Sequence, residues 1–93
     1  MAQVVLYVAS VSGSAKIKKD TQSLRWLLEK KNCAFDEVDV ARDQMARGRM
    51  KQISGKATLP QVHVNGKYIG GFDECQMFEE EERLEDILDG EDP

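Results

Sequence analysis

The sequence predicts an α/β domain: a four-stranded mixed sheet flanked by helices, in the order β-α-β-α-β-β-α. Three observations carry that expectation. A near-continuous apolar run, Gln3-Val-Val-Leu-Tyr-Val-Ala9, has the composition of a central strand buried on both faces. Apolar residues at helical spacing follow it and lead to a second extended stretch, so two strands joined by a helix lie parallel in one sheet. Asn65-Gly66, between two short strands, supplies the two positive φ angles of a type I′ turn and makes the last pair an antiparallel hairpin.

Each element has its own signal. Ser10-Val-Ser-Gly-Ser14 is turn-rich and opens the first helix, where Ile17, Thr21, Leu24, Leu27 and Leu28 recur at helical spacing. That helix ends near Lys30-Lys31-Asn32, because cations and Asn suit a helix C-terminus. Phe35 to Val40 reads as the second strand, interrupted by acids. Arg42 to Ile53 reads as a short helix with Met45, Met50 and Ile53 inward, stopped by Ser54-Gly55. Val62 and Val64 alternate with Gln61 and His63, the period of a half-buried strand, and Lys67-Tyr68-Ile69 returns against it. One final helix is expected, with Met77, Phe78, Glu81, Leu84, Ile87 and Leu88 spaced by three and four.

Composition fits one small domain. The chain has 93 residues, enough for a single core without staples, and its 41% apolar share is that of a globular chain. Residues 1–89 are read as that domain and 90–93 as a frayed acidic end. No apolar run approaches the roughly 20 residues of a membrane span, and no basic-then-apolar leader is evident. Cys33 and Cys75 have neither a C-x-x-C nor a metal-ligand spacing, so no metal site is expected and a reduced, cytoplasmic setting fits. The net charge of −4 hides an asymmetry: residues 1–71 carry twelve Lys/Arg against six Asp/Glu, whereas residues 72–93 carry Arg83 against eleven acids. The acidic end repels phosphates and no Arg/aromatic interleaving occurs, which excludes nucleic acid as the expected partner.

The stretch Ala57–Glu74 holds the candidate site. Pro60 at the head of a strand has no N–H, so Leu59 before it can present its backbone polar groups outward. Gly70-Gly71 lets a ligand or another backbone come close, and the helix start that follows offers free N–H groups to an anion. Asp73 with Gln76 three residues on reads as the capping box of that helix. A plain hairpin running into a capped helix satisfies the same residues.

Thr58-Leu59-Pro60, Val62-His63-Val64-Asn65-Gly66 and Ile69-Gly70-Gly71-Phe72-Asp73 together resemble the glutaredoxin signature: a T-[VL]-P turn, a V-x-[VI]-x-G hairpin and a G-G-x-D loop. The resemblance runs from Val4 to about Leu88 and implies a thioredoxin-like fold. It also implies that these segments hold glutathione, with Leu59, Pro60, Gly71, Phe72 and Asp73 as the contacting residues. An active glutaredoxin places a Cys at the N-terminus of the first helix. Here that position falls at or beside Ser12, in Ser12-Gly13-Ser14, and the Lys often found just upstream is missing too. A helix dipole worth about 1 kcal/mol cannot ionise a serine hydroxyl. The expectation is therefore no catalytic residue.

Tyr7-Val-Ala-Ser-Val-Ser-Gly-Ser14 with the acidic C-terminus is similar to the SH3-domain-binding glutamic-acid-rich-like family, small glutaredoxin-fold proteins without the redox cysteine. That resemblance implies a non-enzymatic module for protein interaction or redox regulation, with glutathione retained at most as a weak ligand. The family's P-x-x-P core is here Thr58-Leu59-Pro60-Gln61, with one Pro, so an SH3 domain is not the expected partner. The competing reading is a weak glutathione-dependent thiol–disulfide oxidoreductase working through Cys75 or Cys33. Cys75 is read as buried or inert, Cys33 as a small core filler, and His63 as a packed strand residue.

Overall fold

The computed structural model describes residues 2–93; residue 1 lies outside the described residues. Its elements are β1 (Val4–Val8), α1 (Ala15–Lys30), β2 (Asp36–Asp39), α2 (Gln44–Ser54), β3 (Gln61–Val64), β4 (Lys67–Gly70), α3 (Phe72–Glu80) and α4 (Leu84–Leu88). The sheet order is β2-β1-β3-β4. β1 runs parallel to β2 and antiparallel to β3, and β3 pairs antiparallel with β4, so the expected mixed sheet forms with β1 inside it.

The alternation of β1 divides the molecule. Val4, Leu6 and Val8 point to one face, where Val62 and Val64 sit opposite Leu6 and Val4. On that face they join Leu24, Leu27 and Leu28 of α1, Phe78 of α3 and Leu84, Ile87 and Leu88 of α4 in one core. The other face takes Tyr7, Gln61 and His63. Lys31 ties the helices together by bridging Glu79 (2.7 Å) and Glu85 (3.7 Å).

Helix limits follow local chemistry. The Ser14 hydroxyl accepts from the Ile17 N–H and starts α1, and Asn32 in the left-handed region (φ 54°) ends it. Asp43 caps α2 through the Ala46 N–H, and Gly55 closes it. Asn65 (φ 52°) and Gly66 (φ 80°) make the hairpin turn as the sequence predicts.

Four expectations need correction. All of β3 is buried, so Gln61 and His63 are not the exposed half of a half-buried strand; they are covered from the second face. In α2 only Ala46 and Met50 are buried, while Met45 (76% exposed) and Ile53 (49%) face outward, because a short helix against one sheet face buries a narrow stripe. The final helix is two helices. Its predicted stripe passed through Glu81, which is exposed, and the chain breaks at Glu82 in the left-handed region (φ 59°). Four acids at positions 79–82 oppose the negative end of the helix dipole, so the helix stops and restarts, and Met77 is left 44% exposed. The fourth concerns the cap of α3: the N-cap is Gly71, whose N–H donates to Glu74 Oε1 at 2.7 Å, in place of the Asp73–Gln76 box. At the chain's end, the Gly90 and Glu91 amides donate to Ile87 and Asp86 carbonyls, and Lys67 pairs with Asp92 at 3.0 Å.

Candidate functional site: a groove at the head of the sheet

Leu59–Pro60 (a cis peptide), the β4–α3 junction and the first turns of α1 enclose an open groove of about 500 Å³. Leu59, Pro60, Gly71, Phe72 and Asp73, dispersed over fifteen positions of sequence, all line it. The topology makes this so. β3 and β4 are neighbours, so the strand head that follows Pro60 and the strand end at Gly70 lie side by side, with Val62 opposite Gly70.

The backbone at these positions is open. Neither the amide nor the carbonyl of Leu59 meets a hydrogen-bond partner among the described residues. The first-turn N–H groups of Phe72 and Asp73 likewise find no acceptor among them, as helix geometry dictates. Because Glu74 serves the Gly71 cap, the Asp73 carboxylate is exposed and not spent on its own helix. Gly71 is needed where it stands: a Cβ there would lie 3.0 Å from the Pro60 carbonyl oxygen.

The Ser12-Gly13-Ser14 loop is not among the groove's walls; it leads into α1, whose Lys16, Ile17 and Asp20 are. Its hydroxyls are occupied. Ser12 Oγ accepts from the Ser14 N–H at 3.2 Å, and Ser14 Oγ caps the helix.

Several lining residues escaped the sequence reading. Lys16 pairs with Asp20 one turn on, which raises the Lys16 pKa above its ordinary value, with Asp73 adding to the effect. The Lys56 ammonium stands over the Tyr68 ring, 5.6 Å from its centroid. The i,i+4 spacing of Lys16 and Asp20 is visible in the sequence, but nothing in it places that pair beside Asp73. The groove thus carries two ammonium groups, exposed carboxylates and an unpaired strand edge, a lining suited to a zwitterionic peptide-like ligand.

The thiols lie elsewhere. Cys75 is fully buried in the core, and burial, with Glu74 adding to it, pushes its pKa up to about 12. Cys33 is half-buried, its pKa raised by burial and then by Asp89. Pro60 is buried, so it is not displayed for an aromatic groove to grip. Among the described residues, no group of three or more His, Cys, Asp or Glu side chains could hold a metal ion. No helix among them is long and apolar enough to cross a membrane.

Comparison with known proteins places this geometry. The family model for the SH3-binding, glutamic acid-rich protein matches residues 2–90. The chain belongs to that family. Within the SH3-binding, glutamic acid-rich family it keeps clear kinship with glutaredoxins. It is 32% identical over 65 residues to glutaredoxin 1 of Rickettsia prowazekii, covering 68% of each chain. It is also 30% identical over 95% of its length to an uncharacterized Arabidopsis thaliana protein, of which it spans only 22%. A second such Arabidopsis protein is spanned over 24% of its length, so the chain is about a quarter or less of these relatives. Among solved structures, actin interacting protein Aip5 of C. albicans superposes with a TM-score of 0.80 at 25% identity, covering 94% of this chain and 88% of that one. A buckwheat glutaredoxin–glutathione complex superposes at 0.75 with 18% identity, covering 95% and 77%. The thioredoxin-like, glutaredoxin-type fold expected from the motifs is therefore present.

Proposed function

We propose that this chain is a non-catalytic glutaredoxin-like module that acts through protein contacts or redox regulation and retains glutathione as a weak ligand. The observation that carries the reading is a groove with an open backbone edge beside a helix start that bears no sulfur. Leu59 would offer its N–H and C=O to the cysteinyl unit of the tripeptide as a strand does. The Phe72 and Asp73 amides would receive the γ-glutamyl carboxylate, and the free Asp73 carboxylate would accept from its ammonium. Lys16 and Lys56 add positive charge for the remaining carboxylate.

Turnover is a different matter. Ser12 and Ser14 spend their hydroxyls on the loop and the α1 cap. Cys75, with its pKa pushed up to about 12, is about 10⁻⁵ thiolate at pH 7, and burial raises the pKa of Cys33 as well, which speaks against an oxidoreductase working through either thiol. A protein partner suits the acidic α3–α4 surface and the exposed Trp26 (64%), and the buried Pro60 and lone Pro of this segment speak against an SH3 domain. A reduced, cytoplasmic compartment suits two unpaired thiols.

Two measurements test this. Turnover of a glutathione mixed disulfide by the wild type is expected at background, and turnover that disappears in Cys75→Ser would promote the oxidoreductase instead. In an NMR titration, glutathione should bind with a dissociation constant on the order of a millimolar, about −4 kcal/mol. Shifts confined to Leu59, Gly71–Asp73, Lys16 and Lys56 and to the adjoining Ser12 loop support the groove. Silence at ~10 mM, about tenfold above that constant, would leave protein contacts alone.

A further inference from the structure

Among the described residues, Gln61 (0% exposed) and His63 (2%) are the buried polar side chains; they lie on the sheet's second face, and neither lines the groove. They are nevertheless bonded to its wall. Gln61 Nε2 donates to the Lys56 carbonyl at 3.0 Å and to the Thr58 carbonyl at 2.8 Å. Ser54 also serves the Lys56 carbonyl, but the Thr58 carbonyl has Gln61 as its one partner among the described residues. Thr58 immediately precedes Leu59, the residue whose backbone edge the ligand would use.

Hydrogen-bond counting fixes the rest. A carboxamide has two N–H donors, and Gln61 spends both on these carbonyls, so its oxygen must face the other way. That oxygen lies 2.9 Å from His63 Nε2, and being acceptor-only it requires the proton on Nε2. His63 Nδ1 then bears a lone pair, and it has no partner. The ring is held edge-on to Tyr7 (4.7 Å between centroids) and Tyr68 (5.6 Å), and Tyr68 in turn carries the Lys56 ammonium. The segment 56–58 is thus tied twice to the sheet, by its carbonyls through Gln61 and by Lys56 through Tyr68. Both ties converge on His63.

We propose that His63 is a positioning residue: as its Nε2–H tautomer it orients the Gln61 carboxamide, which clamps the Lys56 and Thr58 carbonyls and sets the edge that Leu59 presents to a ligand. The proposal rests on reading the groove as a glutathione-class site, and its first readouts need no ligand.

Long-range proton–nitrogen correlation on the wild-type chain should place the imidazole proton on Nε2 near neutral pH; a proton on Nδ1 overturns the proposal. The Gln61 side-chain NH₂ signals should exchange slowly in the wild type and at least tenfold faster in His63→Phe, with backbone shifts concentrated at 56–59. His63→Gln, which returns an N–H to the Gln61 oxygen, should restore both. Changes spread evenly over the chain in His63→Phe, or none at 56–59, sink the idea, and should that variant not fold, the tautomer measurement still decides. Glutathione binding should weaken at least threefold in His63→Phe and recover in His63→Gln. Wild-type silence toward glutathione would instead refute the ligand reading, leaving the clamp to stand or fall on the exchange data.

Discussion

One added carbon at Gly71 would change the shape of the groove. The Cβ of Gly71→Ala would meet the Pro60 carbonyl oxygen at 3.0 Å, so the wall must give by a few tenths of an ångström. The fold should survive, with unfolding midpoints close to wild type, while glutathione-induced shifts weaken several-fold. Its neighbour behaves differently. Gly70 sits at φ +145°, and a Cβ there would lie 2.4 Å from Glu74 Cβ, within the turn that caps α3. Gly70→Ala should therefore cost stability, about 1–3 kcal/mol from overpacking, read as a lower urea midpoint with unchanged slope. In the loop that leads into α1, outside the groove's walls, Ser12→Cys would put a thiol before the sixteen-residue helix, whose N-terminus favours thiolate. Measurable reaction with glutathione disulfide is expected, with Val11→Cys tested alongside. Two thiols titrating at the ordinary ~8.5, with no reaction, would mean that the loop geometry is not that of a glutaredoxin.

Among the elements, legibility followed how much of the signal was local. The Asn65-Gly66 turn, the Ser10–Ser14 entry to α1 and the Asn32 terminus are readable because neighbours in sequence satisfy them. The cap of α3 was not, because Asp73–Gln76 and Gly71–Glu74 both match a capping spacing and only the path of the chain out of β4 chooses between them. Lys56, in the loop before β3, meets Tyr68 of β4, and no periodicity reports that. The break between α3 and α4 is hidden in the sequence because Glu81 falls at a helical spacing that only bridges the six-residue gap from Phe78 to Leu84. That break makes its own prediction. Glu82 holds a left-handed conformation (φ 59°), which a residue with a Cβ adopts at a cost of about 1 kcal/mol. Glu82→Gly should relieve it and stabilise the chain by about 0.5–1 kcal/mol, whereas Glu82→Ala, which removes the same charge and keeps the strain, should gain less. Equal gains in thermal midpoint would assign the effect to charge alone.

Over the whole molecule, the perturbed groups divide stability into an acid limb and an alkaline limb. Burial lowers the His63 pKa below its ordinary 6.5, so between these values the unfolded chain binds a proton that the native chain refuses. Stability is then fully present above about 6.5 and falls as pH drops below it. Asp39 acts in the same direction at lower pH. Its bonds with Ser10 hold its pKa below 3.8, helped by the Ala41 amide and Arg42, and that contribution disappears as the carboxylate is protonated. On the alkaline side Cys75 keeps its proton in the fold up to about 12 but releases it near 9.0 when unfolded, so its contribution is present below 9.0 and drains away above it. Lys31, its pKa raised chiefly by Glu79, loses its contribution only beyond 10.5. The expected profile of urea midpoint against pH is a plateau from about 6.5 to 9 with a decline on each side. His63→Phe should flatten the decline just below 6.5 without moving the alkaline limb, and Cys75→Ala should reduce the decline above 9, leaving the part that Cys33 contributes, without moving the acid limb. A wild-type midpoint that stays level from pH 7 to 5 would mean that His63 accepts its second proton inside the fold, and the packing of the sheet's second face would need another explanation.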